Sequence, residues 1–196
     1  MRLSGGISRL VGFVFIACLL SAGQSNVGTA REIDTARSVL TVRVYKTGLF
    51  SAFAHDHEIR AQIQKGIIDE ERNLVEFTVD ARTLKVLDPK VSDSDRAEIQ
   101  STMLGPKVLD SEKFNQIQFR STSIGELGEG KWTVRGDLSV HGQTRRVKVE
   151  VEGSDGHYTG WVQLRQTEFG ITPISIAGGS IKVKDEIRVE FEIFAK

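Results

Sequence analysis

With a single cysteine, Cys18, the chain cannot close an internal disulfide. That residue lies in an apolar run near the amino terminus, so residues 31–196 hold no thiol at all, which excludes disulfide scaffolding and thiol chemistry there. Neither sign of charge is in excess. The 26 Lys and Arg match the 26 Asp and Glu, and no basic run stands out, so nucleic acid is not an expected partner. Long hydrophobic runs are absent too. The apolar stretch at residues 10–20 has eleven residues, against about 20 for a membrane-spanning helix, and no later stretch is long enough, so no transmembrane segment is expected in the mature chain. Nucleophile elbow, phosphate-binding glycine loop and paired-carboxylate site are all missing. Gly178-Gly179-Ser180 lacks the strand-to-helix setting such motifs need. No cofactor is implied.

What is present begins with a segment unlike the rest. Arg2 and Arg9, the short apolar run and a small-residue exit make residues 1–30 a secretory signal peptide, with Gly28-Thr29-Ala30 placing small residues for cleavage before Arg31. Ser21-Ala22-Gly23 is a second candidate cleavage site. Lipidation of Cys18 is the alternative reading, but Phe15 before it and Leu19-Leu20 after it fit such a site poorly. Export to the periplasm is the expectation. Without Arg2 and Arg9 the mature chain keeps 24 basic against 26 acidic residues, a formal net charge of −2. Residues 31–196 are enough for one domain with a sizeable core.

The pattern of that domain is clearest from Trp132 to Glu152. Trp132, Val134, Leu138 and Val140 alternate with polar residues, His141-Gly142-Gln143-Thr144 interrupts, and Val147, Val149 and Val151 alternate again. This is a β-hairpin with one apolar face. The same period of two runs through residues 38–45, 55–68, 74–80, 115–123, 158–164 and 181–195. One stretch departs from it. Ser92-Asp93-Ser94-Asp95 is a helix-start signal, residues 95–104 are helix formers with Ala97, Ile99 and Met103 on the candidate buried face, and Gly105-Pro106 ends them. Residues 107–114 read as a further helical turn. The fold class is therefore all-β: an up-and-down antiparallel barrel of about eight strands with a short helical insertion. A barrel of about that size either fills with side chains or holds one small ligand, and pattern alone leaves both open.

The stretches Phe114 to Ile124, Gly136 to Thr144 (Gly-Asp-Leu-x-x-x-His-Gly-x-Thr), Leu164 to Ile171 and Val183 to Phe191 carry a resemblance to a known family. The chain resembles the YceI-like, polyisoprenoid-binding family of exported bacterial proteins, over essentially all of residues 33–193. The resemblance implies a lipocalin-like barrel with a helical cover, holding a long-chain isoprenoid or other lipid. Strand parity then nominates the lining: Leu40, Val42, Val44, Ile59, Ile63, Val75, Phe77, Val79, Ile117, Phe119, Trp132, Val134, Leu138, Val140, Val162, Leu164, Val189 and Phe191, with Phe169 from its loop. One departure from the family pattern is Ala54-His55-Asp56-His57 in place of a Gly-x-Phe element, and Tyr45 stands where a His is common.

His55-x-His57 is the one motif that could carry catalysis. Alternate residues of a strand point the same way about 6–7 Å apart, a spacing at which two imidazoles can share a metal, although zinc needs at least one more ligand. The pair, with Tyr45, could equally meet a ligand's polar head, or be structural. His141 is expected to hold its turn. Trp161, opposite the face of Val162 and Leu164, reads either as an exposed partner contact or as packed under a terminal segment. The leading expectation is a non-enzymatic periplasmic carrier of a long apolar ligand. The alternatives are a metal-dependent enzyme using His55 and His57, and an envelope interaction module with a filled barrel. Oligomeric state is left open, a homodimer included.

Overall fold

The computed structural model describes residues 30–47, 56–176, 178 and 181–196. The signal segment, Cys18 and His55 therefore lie outside the described residues, as does most of the bend between the first two long strands. The elements are β1 (Arg31–Glu32), β2 (Val39–Thr47), β3 (His57–Ala61), β4 (Ile63–Asp69), β5 (Leu74–Asp80), β6 (Lys85–Val86), α1 (Asp93–Leu104), β7 (Gln116–Gly128), β8 (Lys131–Val140), β9 (Gln143–Ser154), β10 (His157–Arg165), β11 (Ser175–Ile176) and β12 (Ile181–Phe194). Short 3-10 turns occupy Ala81–Thr83 and Gln166–Phe169.

All twelve strands belong to one sheet, in the order β1-β4-β5-β7-β8-β9-β10-β12-β2-β3-β6, with β11 beside β12. Every pairing among the described residues is antiparallel. The sheet curls strongly. β3 and β4 lie near opposite ends of the strand order, yet only Gln62 separates them in the chain. At one end β1 also reaches the tail of β12, through an Ile33–Ala195 bridge and backbone bonds from Asp34 N to Phe194 O (2.7 Å) and Lys196 N to Glu32 O (2.8 Å). A sheet with one apolar face and no second layer must cover that face with itself.

The strand count differs from the expected eight for two reasons. The segment read as one strand from residue 55 to 68 breaks at Gln62, whose amide donates to Thr35 O at 3.1 Å. β1, β6 and β11 have two residues each, too few to show an alternation. The helical insertion forms as Asp93–Leu104, with the Ser92 hydroxyl accepting from Asp95 N at 3.1 Å as its cap. Its apolar face is weak: Met103 is buried, Ile99 half-buried and Ala97 exposed. Polar anchors hold it instead. Gln100 accepts from Val86 N (2.8 Å) and donates to Leu84 O (2.7 Å), which occupies backbone groups at the β6 edge of the sheet. Residues 107–114 do not continue the helix but form hydrogen-bonded turns. Asp110 takes a left-handed φ of 42°, and the Ser111 backbone N–H and hydroxyl both return to Leu104 O.

The β8–β9 hairpin pairs Trp132 with Val151, Val134 with Val149 and Gly136 with Val147, so its apolar residues share the concave face. His141 (φ 50°) and Gly142 (φ 71°) are its two turn residues, the type I′ geometry that suits strand twist. The His141 ring then does more than hold its own turn: Nδ1 donates to Phe169 O at 3.1 Å and the ring meets Phe114 edge-on at 4.7 Å. The hairpin tip is thereby tied to the 3-10 turn over the upper end of the sheet, the end that also carries α1. The lower end carries the β4–β5 and β9–β10 turns.

Glycine at position 136 makes room rather than a bend. A Cβ there would lie 2.5 Å from the Phe119 ring and 2.6 Å from Arg120 O. Gly136→Val is therefore expected to push Phe119 from its place and to destabilise the fold by about 1–3 kcal/mol, read as a lowered urea midpoint with an unchanged slope.

Candidate binding cavity

The concave face of the sheet does not close to a filled core. It surrounds a cavity of about 340 Å³. Leu40, Val42, Val44, Ile59, Val75, Phe77, Val79, Ile117, Phe119, Trp132, Val134, Leu138, Val140, Val162, Leu164, Phe169, Val189 and Phe191 all line it. Paired positions such as Val42–Ile59, Val79–Ile117 and Val162–Val189 stand side by side on the wall. Phe77 and Phe119 stack with centroids 5.5 Å apart. Met103, Val108, Leu109 and Leu84 come in from the helical insertion and its flanking turns, and with Phe169 and Ile171 they roof the upper end.

Three nominated residues do not line the cavity. Ile63 pairs with Val79 and shares its face of the sheet, but at 1% exposure it belongs to the packed core behind the wall rather than to the cavity surface. Tyr45 follows Val44 in β2, and one residue along a strand reverses the face. His57 pairs with Val44, yet its ring is taken up by another partner: Nδ1 lies 2.6 Å from Asp88 Oδ2. Asp88 is itself nearly inaccessible and its Oδ1 accepts from Glu58 N at 2.8 Å. The polar residue that explains His57 thus comes from the insertion, 31 positions away, where no strand parity could point to it. His55 lies outside the described residues. Among the described residues no group of three His, Cys, Asp or Glu side chains is placed to hold a metal ion. His141 is committed to Phe169 O, and His157 to Glu192 Oε1 at 2.9 Å with its ring stacked on Phe194. Trp161 is half-exposed on the convex face, with the Arg188 guanidinium 4.1 Å over its ring.

Parity reasoning also left lining residues out. Val147, Val149, Val151, Ile187 and Ile193 share the alternation of the nominated set and could have been added from it. Of the polar ones, Tyr158 shares the phase of Val162 and Leu164, and the others carried no such signal. Asp69, Glu70, Asn73 and Tyr158 meet at the lower end, and Gln166 faces the cavity near the upper end. Tyr158 points inward from the start of β10, packs edge-on against Trp132 at 5.9 Å, and its hydroxyl donates to Glu70 Oε1 on the β4–β5 turn. Burial, and then the bond to Glu70, push the Tyr158 phenol up to about 12, so it stays protonated at neutral pH.

A family model described as the YceI-like domain matches residues 32–195. The chain belongs to the YceI-like family. It is 30% identical over 150 residues to a UPF0312 protein of Vibrio parahaemolyticus, covering 73% of this chain and 72% of that one. A UPF0312 protein of Shewanella denitrificans is 32% identical over 132 residues, covering 58% and 68%. Among solved structures, Burkholderia cenocepacia BcnA superposes with a TM-score of 0.59 at 17% identity, covering 84% of this chain and 99% of that one. That last likeness is one of fold: an all-β, antiparallel, curled sheet with a helix.

The Tyr158 bond gives a pH signature. An unfolded tyrosine titrates near 10 and the folded one at about 12, so the native state holds its proton longer. The stability this contributes is complete below about pH 10 and is lost as pH rises toward about 12. Tyr158→Phe should make the fall in unfolding free energy across that window shallower, measured by denaturant titration at stepped pH.

Proposed function

We propose that this protein is a non-enzymatic carrier, exported to the periplasm by a cleaved signal peptide, that sequesters a long-chain isoprenoid or other lipid in its cavity. In this reading the curled sheet works as a lipocalin-like barrel of eight long strands, with β3 and β4 acting as one bent wall. The observation that carries the proposal is an apolar interior that is left open. Native cores pack to near-crystalline density. An apolar interior of about 340 Å³ left without packing partners forfeits the dispersion contacts its lining would otherwise make. An apolar occupant offsets that cost. The volume also falls within the roughly 300–1,000 Å³ usual for small-molecule sites. Binding energy would come from withdrawing apolar ligand surface from water, at about 25 cal/mol per Å², less ordering costs. No bond is made or broken in this mechanism, and the wall residues Val42, Phe77, Phe119, Leu138, Val162 and Phe191 are its working parts. Export is supported by the charged start, short apolar run and small-residue exit of residues 1–30.

Native mass spectrometry of the protein produced in a bacterial periplasm tests the proposal. A discrete added mass that extracts into chloroform is expected. Val162→Trp, which fills part of the cavity from its wall, should lower the occupancy while leaving the protein folded. A bare polypeptide mass that stays bare after incubation with long-chain prenyl alcohols and fatty amides would overturn it.

A further inference from the structure

Away from its lower end, the cavity lining holds a single polar side chain among the described residues, that of Gln166. It is 8% exposed and opens the 3-10 turn Gln166–Phe169 that follows β10, beside the roof residues Phe169 and Ile171. Only one end of its amide is committed. Nε2 donates to Lys184 O at 2.8 Å, in the stretch of β12 where the register with β2 shifts between Val183 and Ile187. A carbonyl can only accept, so the amide nitrogen has to face Lys184 O. That bond is the side chain's one hydrogen bond among the described residues, and Oε1 is left as the free end. Gln100 shows how a purely structural glutamine is used in this molecule: Oε1 accepts from Val86 N while Nε2 donates to Leu84 O. Holding Lys184 O requires a donor and nothing more. The Gln166 oxygen is surplus to that role, and a buried acceptor without a partner calls for an explanation.

We infer that Gln166 is a specificity-determining residue, whose Oε1 accepts a hydrogen bond from the polar end of a long-chain ligand lying with that end uppermost in the cavity. The inference rests on the carrier reading and narrows it to chains that end in an O–H or N–H donor, a hydroxyl or an amide. An end that can only accept, such as an ether, an ester or an ionised carboxylate, sets acceptor against acceptor and leaves both unpaired in an apolar site. The wall binds the chain whatever its end. Gln166 chooses among the ends, because a site built to hydrogen-bond one group discriminates against the analogue that lacks it more sharply than apolar area can.

Displacement of the neutral dye N-phenyl-1-naphthylamine tests this with two ligands that share one chain, geranylgeraniol and its methyl ether. The ether is the more lipophilic, so transfer out of water alone favours it. The alcohol should nevertheless bind about threefold to tenfold tighter, the worth of one neutral hydrogen bond. Gln166→Leu and the equally long Gln166→Met should each abolish or reverse that preference by weakening the alcohol. The ratio compares two ligands on one protein, so a general loosening of the site by loss of the Lys184 bond cancels from it. In the unaltered protein, the side-chain carbonyl carbon of Gln166 should move to higher NMR frequency when the alcohol replaces the ether, a readout that needs no variant. If the ether binds as well as the alcohol, if the ratio is unchanged in a folded variant, or if the carbonyl does not move, the inference is overturned and the carrier reading stands. If neither ligand displaces the dye, the carrier reading fails and the inference falls with it.

Discussion

The structure depends on one constraint: a single sheet with an apolar face has nothing to pack against except itself. Every long strand contributes residues to the same concave surface, and the chain supplies only one helix, whose own apolar face is weak. The sheet answers by curling until β12 pairs with β2, joining the last strand to the first long one across the register Val189–Val42 and Phe191–Leu40. The kink at Gln62 lets β3 pair with β2 while β4 pairs with β5, so a single stretch of chain serves both sides. Beside that kink the β1 segment joins β4 to the tail of β12. Part of the edge backbone is thereby bonded within the molecule: β1 covers Ile67 and Ile68 of β4, and β6 covers Ile59 and Arg60 of β3.

Size of side chain decides what curling leaves inside. Large rings from β7 and β12 stand over positions where the neighbouring strand has no side chain. Phe119 lies against Gly136, and Phe191 lies within 2.5 Å of where a Gly160 Cβ would be. These contacts let the rings lie along the wall. The middle of the curled sheet stays open. The upper end is closed by parts brought from outside the sheet: α1 anchored through Gln100, the 3-10 turn held by His141, and the turns after the helix. The lower end is closed by Trp132 and Tyr158, and polar groups enter the lining there.

Much of this was legible from residue order. The alternation in Trp132 to Glu152 predicts both hairpin strands and the face they share, Ser92 and Gly105 bracket the helix, and parity places seventeen of the nominated residues on the cavity wall. Parity gave the face but not the depth at Ile63, which shares the face of Val79 yet is packed into the core, and it was set aside at Tyr45, which was nominated for a ligand head although its neighbour Val44 holds the inward place. It also had nothing to say of the insertion. In sequence His57 could share a metal with His55, meet a ligand's polar head or be structural, and its partner Asp88 sits in an ordinary-looking Leu-Asp-Pro stretch.

By itself the sequence determined the all-β class, the inward and outward residues of each strand, the helix and its caps, and membership of a family of similar chains. These follow from interactions spanning two to four residues, because pleating and helix capping are local. Tertiary structure alone decided that the interior is open, that His57 belongs to Asp88, and that Glu70 meets Tyr158 across 88 positions at the lower end. Those outcomes depend on how far the sheet curls and which strand ends converge. That is settled by the packing of all the strands together, which no local period records.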